Sequence, residues 1–351
     1  MADVSIAGRQ ISPDHAPYII CELSANHGGS LERALELIDA AAATGTDAIK
    51  IQTYTPDTLT IDHDGPQFRI QGGLWSGYTL YDLYKQAYTP YKWHPALMAR
   101  ARQRGVTLFS TPFDETAVDL LSSLDVQAYK IASFEAIDLP LIARVARAHK
   151  PMIISTGMTS QEEIGEAVAT ARQNGTSDII LLHCVSTYPA KFEQANLRTI
   201  RHIADTFDVV AGLSDHTPGT ACAVAAVALG ACVIEKHFTL RRADGGPDAA
   251  FSLEPEEFSR LVLDCRNAWR ALGAVDYSRS EEERGSMIFR RSLYVVADIA
   301  AGETLTPQNV RSIRPGFGLP PKYLPEVLGR KAARALKRGD PLRWNDIARS
   351  S

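Results

Sequence analysis

The feature that most constrains the fold is a regular alternation of eight short apolar runs, each followed by a segment of helical periodicity. The runs cover residues 18–25, 48–54, 107–113, 128–133, 152–156, 179–185, 209–214 and 232–238. They are rich in Ile, Val, Leu and Phe and apolar on both faces. A parallel strand reads this way because helices cover one side of it and other strands the other. Helical patterns follow near residues 31–45, 95–105, 116–124, 139–149, 161–175, 197–207, 220–230 and 255–272. In the first, Leu31, Ala34, Leu35, Ile38 and Ala42 share one face, with Ser30 at the N-cap position and Gly45 at the stop. Eight strand–helix units predict an α/β fold closed into a (β/α)8 TIM barrel. The competing arrangement is a doubly wound open sheet, but no Gly-x-Gly-x-x-Gly follows the first strand.

A barrel needs roughly 250 residues, and this chain has 351. The texture changes after residue 272. We expect a barrel domain over 1–275, a polar linker over 276–289, and a small domain over 290–351 built from short β-like runs separated by Gly and Pro. Two connections are unusual. Residues 55–92 are too long for a simple loop and carry Phe68, Trp75, Tyr78, Tyr81, Tyr84, Tyr88 and Tyr91. Residues 241–252, after the eighth strand, are rich in Gly and Asp. Long connections after barrel strands often form binding surfaces.

The net charge of −4 gives no electrostatic reason to expect a nucleic-acid or membrane-surface partner. No apolar run is long enough to span a bilayer. Residues 1–15 lack the basic-then-apolar pattern of a secretory signal. Cys21, Cys184, Cys222, Cys232 and Cys265 are scattered, odd in number and without a Cys-x-x-Cys pair. That argues against a disulfide framework and for a reducing compartment, so a cytoplasmic location is expected.

In a (β/α)8 barrel the chemistry sits at the C-terminal ends of the strands. In chain order, the polar residues there are Glu22, Ser24, Asn26, His27; Lys50, Gln52; Ser110, Thr111, Asp114; Lys130, Ser133; Ser155, Thr156; His183, Ser186, Tyr188; Ser214, Asp215, His216; and Glu235, Lys236, His237. Unpaired buried charges cost several kcal/mol, so core strands rarely carry them. Any one of these residues also fits a structural ion-pair cluster. The whole set, drawn from eight strand ends, points to a site. Lys50 and Lys130, with hydroxyls from Ser133, Ser155 and Ser214, suit a small phosphorylated carboxylate. His216 and His237 end neighbouring strands and, with a carboxylate or water, suit a divalent metal that polarises an aldehyde oxygen. Glu22 is a candidate acid/base. His183, mid-strand, reads as a satisfied core residue, and His15, His63, His94, His149 and His202 as structural or surface groups. Two other classes stay open: a pyruvate-dependent barrel aldolase with Lys130 or Lys50 as Schiff-base lysine, and a non-catalytic sugar-binding protein.

Seven stretches resemble the sialic acid synthase family in order and spacing: CELSANH (21–27), DAIKIQT (47–53), STPFD (110–114), YKIAS (129–133), STGM (155–158), LSDH (213–216) and EKHFT (235–239). The resemblance covers nearly the whole chain. From about residue 290 the tail resembles the antifreeze-like (SAF) domain of that family. GGLWSGYTLYDLY (72–84) and ADGGPD (243–248) resemble the branch that acts on a 2,4-diacetamido-2,4,6-trideoxy-altrose. An aromatic-rich loop suits such a less polar sugar.

The resemblance implies a transferase that condenses phosphoenolpyruvate with an amino-sugar aldehyde to a nine-carbon 2-keto acid for bacterial surface or flagellar glycosylation. N-acetylmannosamine and the legionaminic acid precursor are the alternative sugars. It implies phosphoenolpyruvate contacts from Lys50, Thr111, Lys130, Ser133, Ser155, Ser186 and Ser214. It implies a manganese ion, with magnesium or cobalt as alternatives, on His216 and His237, supported by Glu235. Gln52, Tyr188 and Asp248 would meet the sugar. Arg314, in SIRPG (312–316), would reach over from the partner of a swapped homodimer. Ser186 departs from the Asn common in the family, as does Gly28 in the stretch after His27.

Overall fold

The computed structural model describes residues 3–349. The chain divides into two compact units, one ending at Gly273 and the other beginning at Ala274.

The first unit opens with a short antiparallel hairpin, β1 (Val4–Ile6) and β2 (Arg9–Ile11). Eight parallel strands then close a barrel: β3 (Tyr18–Glu22), β4 (Ala48–Thr53), β5 (Thr107–Pro112), β6 (Tyr129–Ile131), β7 (Met152–Ser155), β8 (Ile179–Cys184), β9 (Val210–Asp215) and β10 (Val233–His237). They pair in sequence order, and β10 pairs with β3 to complete the ring. Each lies within an apolar run of the sequence except β9, which extends one residue past its run to Asp215.

The helices between them begin where the chain supplies caps. Ser30 accepts from the Arg33 backbone N–H at the start of Leu31–Ala43, and Ser160 and Glu163 form a capping box at the start of Gln161–Gln173. Asp114, read above as a strand-end site residue, caps Glu115–Ser123 by accepting from the Ala117 N–H at 3.0 Å.

Two apolar assemblies follow from strand alternation. Outward residues such as Ile19, Ile49, Leu181 and Ile234 pack against the helices. Inward residues such as Ile20, Phe109, Ile153, Leu182 and Val233 fill the barrel, joined by Val4, Ile6 and Ile11 of the hairpin. The hairpin was not anticipated, because three-residue strands leave no periodic signal.

Residues 55–92 are not an irregular loop. They contain the helices Pro56–Leu59 and Leu80–Ala87, capped by Thr55 and Thr79. In the second unit β11 (Ser292–Val295) pairs antiparallel with β12 (Val310–Ile313) over an apolar core that includes Leu293, Leu305, Val327 and Leu342. The polar stretch expected as linker carries a helical turn, Glu281–Gly285, capped reciprocally by Ser280 and Glu283.

Candidate active site

Strand alternation sorts the polar strand-end residues into two groups. Residues spaced by two along each strand point the same way, so Glu22, Lys50, Gln52, Thr111, Lys130, Ser155, Ser214, Glu235 and His237 share the side of the inward apolar residues. They sit above that apolar filling, at the C-terminal mouth.

Charges of both signs meet there. Lys50 Nζ lies 2.9 Å from Glu22 Oε2 and 3.6 Å from Glu235 Oε1. Lys130 Nζ donates to Ser155 Oγ at 2.7 Å and lies 3.4 Å from Glu235 Oε1. Ser214 Oγ donates to the same Glu235 oxygen at 3.1 Å, and Lys50 Nζ reaches Thr111 Oγ1 at 3.4 Å. Burial pushes the Glu22 carboxyl up, the Lys50 charge only partly offsets it, and the group titrates above the usual glutamate range. Burial acts on Glu235 too, but Lys130 and Lys50 together hold it below that range. Burial also lowers Lys130, whereas the two carboxylates beside Lys50 overcome burial and raise it. Two carboxylates in one pocket therefore differ, Glu22 ready to hold a proton and Glu235 kept ionised.

Ser133 and Ser186 come together around Gly157. The Gly157 N–H donates to Ser133 Oγ at 3.1 Å. A Cβ on Gly157 would lie 2.1 Å from Ser186 Oγ and 2.8 Å from Ser133 Oγ, so only glycine lets these hydroxyls approach. Beside them opens a cavity of about 380 Å³, lined in part by Thr156, Met158, Cys184, Ser186 and Asn196.

His216 and His237 stand with ring centroids 5.4 Å apart. His216 Nδ1 lies 3.0 Å from the Val185 carbonyl, which directs its proton there and leaves Nε2 for a ligand. His237 Nδ1 is buried with no hydrogen-bond partner, and burial holds the ring well below the ordinary histidine range, hence neutral. Two unspent imidazole nitrogens suit a divalent ion. Among the described residues no group of three or more His, Cys, Asp or Glu forms a complete ligand set. An ion held by these two imidazoles would need its other ligands from water or substrate oxygens.

The remaining predicted contacts divide. Gln52 Nε2 donates to Glu22 Oε1 and to Ser24 Oγ, both at 3.0 Å. Ser24, held at φ 44°, donates to the buried carboxylate of Asp248. The Tyr188 ring lies 4.4 Å from that of His216. Arg314 belongs to the second unit, where it is exposed just past β12.

Other strand-end residues are structural. Lys236 Nζ pairs with Asp215 Oδ2 at 2.6 Å, fully buried on the helix side of β10. Ser110 bonds Thr53, which bonds His94. His183 gives its Nε2 to the Ala195 carbonyl at 2.7 Å. Asn26 ties the Phe238 carbonyl to Ser252.

Two groups at the mouth were missed. Cys184 faces inward 3.8 Å from His216 Nδ1. Burial would raise its thiol, but the charge and hydrogen bond of His216 bring it down to about 7. Period-two alternation along β8 marks it. Glu135 follows Ser133 in the turn after β6. Its Oε2 is buried without a hydrogen-bond partner, and burial pushes the carboxyl up to about 7 against the pull of Lys130. No pattern in the sequence marks it.

A closed barrel with acids, bases and two imidazoles gathered at its C-terminal mouth defines the class, a (β/α)8-barrel enzyme. The chain belongs to the NeuB family, whose model matches residues 37–277, and a SAF domain model matches residues 290–348. The chain is 46% identical over 334 residues to the pseudaminic acid synthase of Campylobacter jejuni, covering 95% of this chain and 97% of that one. It is 36% identical to the N,N'-diacetyllegionaminic acid synthase of Legionella pneumophila, covering 94% of each. The N-acetylneuraminic acid synthetase of Leptospira borgpetersenii superposes with a TM-score of 0.73 at 30% identity, covering 81% of this chain and 95% of that one.

Proposed function

We propose that this chain is a pseudaminic acid synthase. It condenses phosphoenolpyruvate with 2,4-diacetamido-2,4,6-trideoxy-β-L-altropyranose and water, giving pseudaminic acid and phosphate. The observation that carries this reading is the near full-length likeness to the Campylobacter enzyme, at 46% identity. The same reaction on the legionaminic precursor is the second reading, favoured by the weaker, 36% likeness to the Legionella enzyme.

The roles follow from the chemistry of the mouth. Lys50 and Lys130 neutralise the carboxylate and phosphate of phosphoenolpyruvate, and the hydroxyls of Thr111, Ser133, Ser155, Ser186 and Ser214 orient them. Glu235, ionised between the two lysines, keeps both in place when the substrate is absent. Gln52, Tyr188 and Asp248 hold the sugar in its open-chain form. C3 of phosphoenolpyruvate forms the new bond to the sugar's aldehyde carbon, water adds at C2, and phosphate leaves from C2. Glu22, protonated more readily than an ordinary glutamate, moves a proton at the sugar oxygen or the water.

His216 and His237 would hold a divalent ion, manganese in preference to magnesium or cobalt. That ion supplies Lewis acidity at the carbonyl oxygen. Arg314 would complete the sugar site from the second subunit of a swapped homodimer. Five free, buried cysteines support a cytoplasmic setting.

A panel of candidate sugars, each offered with phosphoenolpyruvate and scored by phosphate release and product mass, tests the reading. The diacetamido-trideoxy altrose should turn over fastest. Faster turnover of the legionaminic precursor or of N-acetylmannosamine would replace it.

A further inference from the structure

Trp75 joins the candidate site from an unexpected direction. Its ring lies 5.5 Å from that of Tyr188, which lies 4.4 Å from His216 and 5.2 Å from Phe251. Phe251 in turn stands edge-on to His237 at 4.9 Å. Trp75, Tyr188 and Phe251 make one aromatic wall beside the imidazole pair. The Trp75 indole N–H also donates to the Pro247 carbonyl at 2.9 Å, and Pro247 immediately precedes the buried Asp248. One residue after β4 therefore supports both the connection after β8 and the one after β10.

The loop does not need this contact to hold its own shape. Ile70 N–H donates to the Tyr78 carbonyl, Gly77 N–H to the Ile70 carbonyl, and Arg69 bridges Thr79. Trp75 sits at the tip of that turn, half-buried between exposed Leu74 and Ser76. Its indole, apolar on the face and polar at the nitrogen, is spent on the site and not on the loop.

We infer that Trp75 is the positioning residue that sets sugar specificity. It holds Tyr188 and Asp248 in register and completes an apolar wall that favours a 6-deoxy sugar over its 6-hydroxy counterpart. A methyl group against aromatic faces is desolvated at a gain, whereas a hydroxyl there gives up water without finding a partner. The inference rests on the synthase reading above.

The test compares wild type, Trp75→Phe and Trp75→Ala with phosphoenolpyruvate and two sugars, the diacetamido-trideoxy altrose and its 6-hydroxy analogue. Trp75→Ala should raise KM for the 6-deoxy sugar at least about tenfold and lower its preference over the 6-hydroxy analogue by about ten- to a hundredfold, the range an apolar pocket can discriminate. KM for phosphoenolpyruvate should stay within about twofold, since Trp75 touches none of its contacts. Trp75→Phe should restore most of the preference through the retained ring, but not the full KM, because the Pro247 contact is gone.

An unchanged preference in Trp75→Ala, or equal damage to both substrates, would overturn the inference. If Trp75→Ala does not fold, Trp75→Leu reads the same ratio. Wild-type enzyme that fails to release phosphate with the 6-deoxy sugar would sink the synthase reading instead.

Discussion

Glu22 and Lys50 face each other in register on adjacent strands, with Nζ 2.9 Å from Oε2 and both side chains almost wholly buried. In the proposed reaction the pair joins the acid/base candidate to a lysine that would meet phosphoenolpyruvate. Glu22→Gln keeps the shape and removes the acid. We expect kcat to fall by about 10²–10⁴, the usual contribution of a positioned acid/base. KM for phosphoenolpyruvate should change little, since removing a negative charge does not weaken an anion site. Unchanged kcat in phosphate-release kinetics would remove Glu22 from the chemistry.

The imidazole pair predicts dependence on metal. Chelation should abolish phosphate release and added manganese restore it. His237→Ala removes one of two nitrogens and should weaken metal binding at least about a hundredfold, because even outer-shell changes cost about 10- to 100-fold. Metal content after dialysis gives the readout independently of turnover. Full activity in metal-free His237→Ala protein would refute the assignment.

Lys236 looks as functional in the sequence as Glu235, yet it is sealed outside the barrel against Asp215. Lys236→Met leaves that carboxylate buried and unpaired, which should cost about 3–5 kcal/mol. Adding Asp215→Asn should recover much of the loss. Urea unfolding measures both variants, and KM for phosphoenolpyruvate should be unaltered in each. A large rise in that KM without loss of stability would place Lys236 in the site.

Glu135 predicts a pH-dependent stability. Its carboxyl titrates at about 7 in the folded protein, against 4.5 for an ordinary glutamate. The unfolded chain therefore releases this proton first. The stability attached to the protonated form is complete below 4.5 and is lost as pH rises through about 7, by on the order of 3 kcal/mol. Glu135→Gln has no proton to lose. It should melt higher than wild type at about pH 8, and the gap should close near pH 4. Equal melting temperatures at both values would contradict a carboxyl raised by burial, with its Oε2 unpartnered.

Much of the site was legible from strand ends alone. Lys50, Lys130, Glu22, Glu235 and the two histidines lie in the apolar runs or just past them, where a charged residue is conspicuous. What could not be read was which way each pointed. Ser110, Asp215 and Lys236 carry the same signal as Thr111, Ser214 and Glu235, one position away. The side-chain period of two separates them only once the register of the whole ring is known. Residues 55–92 read as aromatic and long, but not as two helices and a turn that delivers one indole.

Local order in the sequence thus determined the eight strands, the helices between them and their caps, because periodicity and capping act over a few residues. Family membership was equally plain, since its motifs lie within single strands and loops. Only the closed barrel decided that Lys50 is shared between Glu22 and Glu235, that Lys236 is buried away from the site, and that Trp75 meets a carbonyl 172 residues further along the chain. Those contacts join distant parts of the chain. They exist because ring closure sets every strand's register at once, which no stretch of sequence encodes by itself.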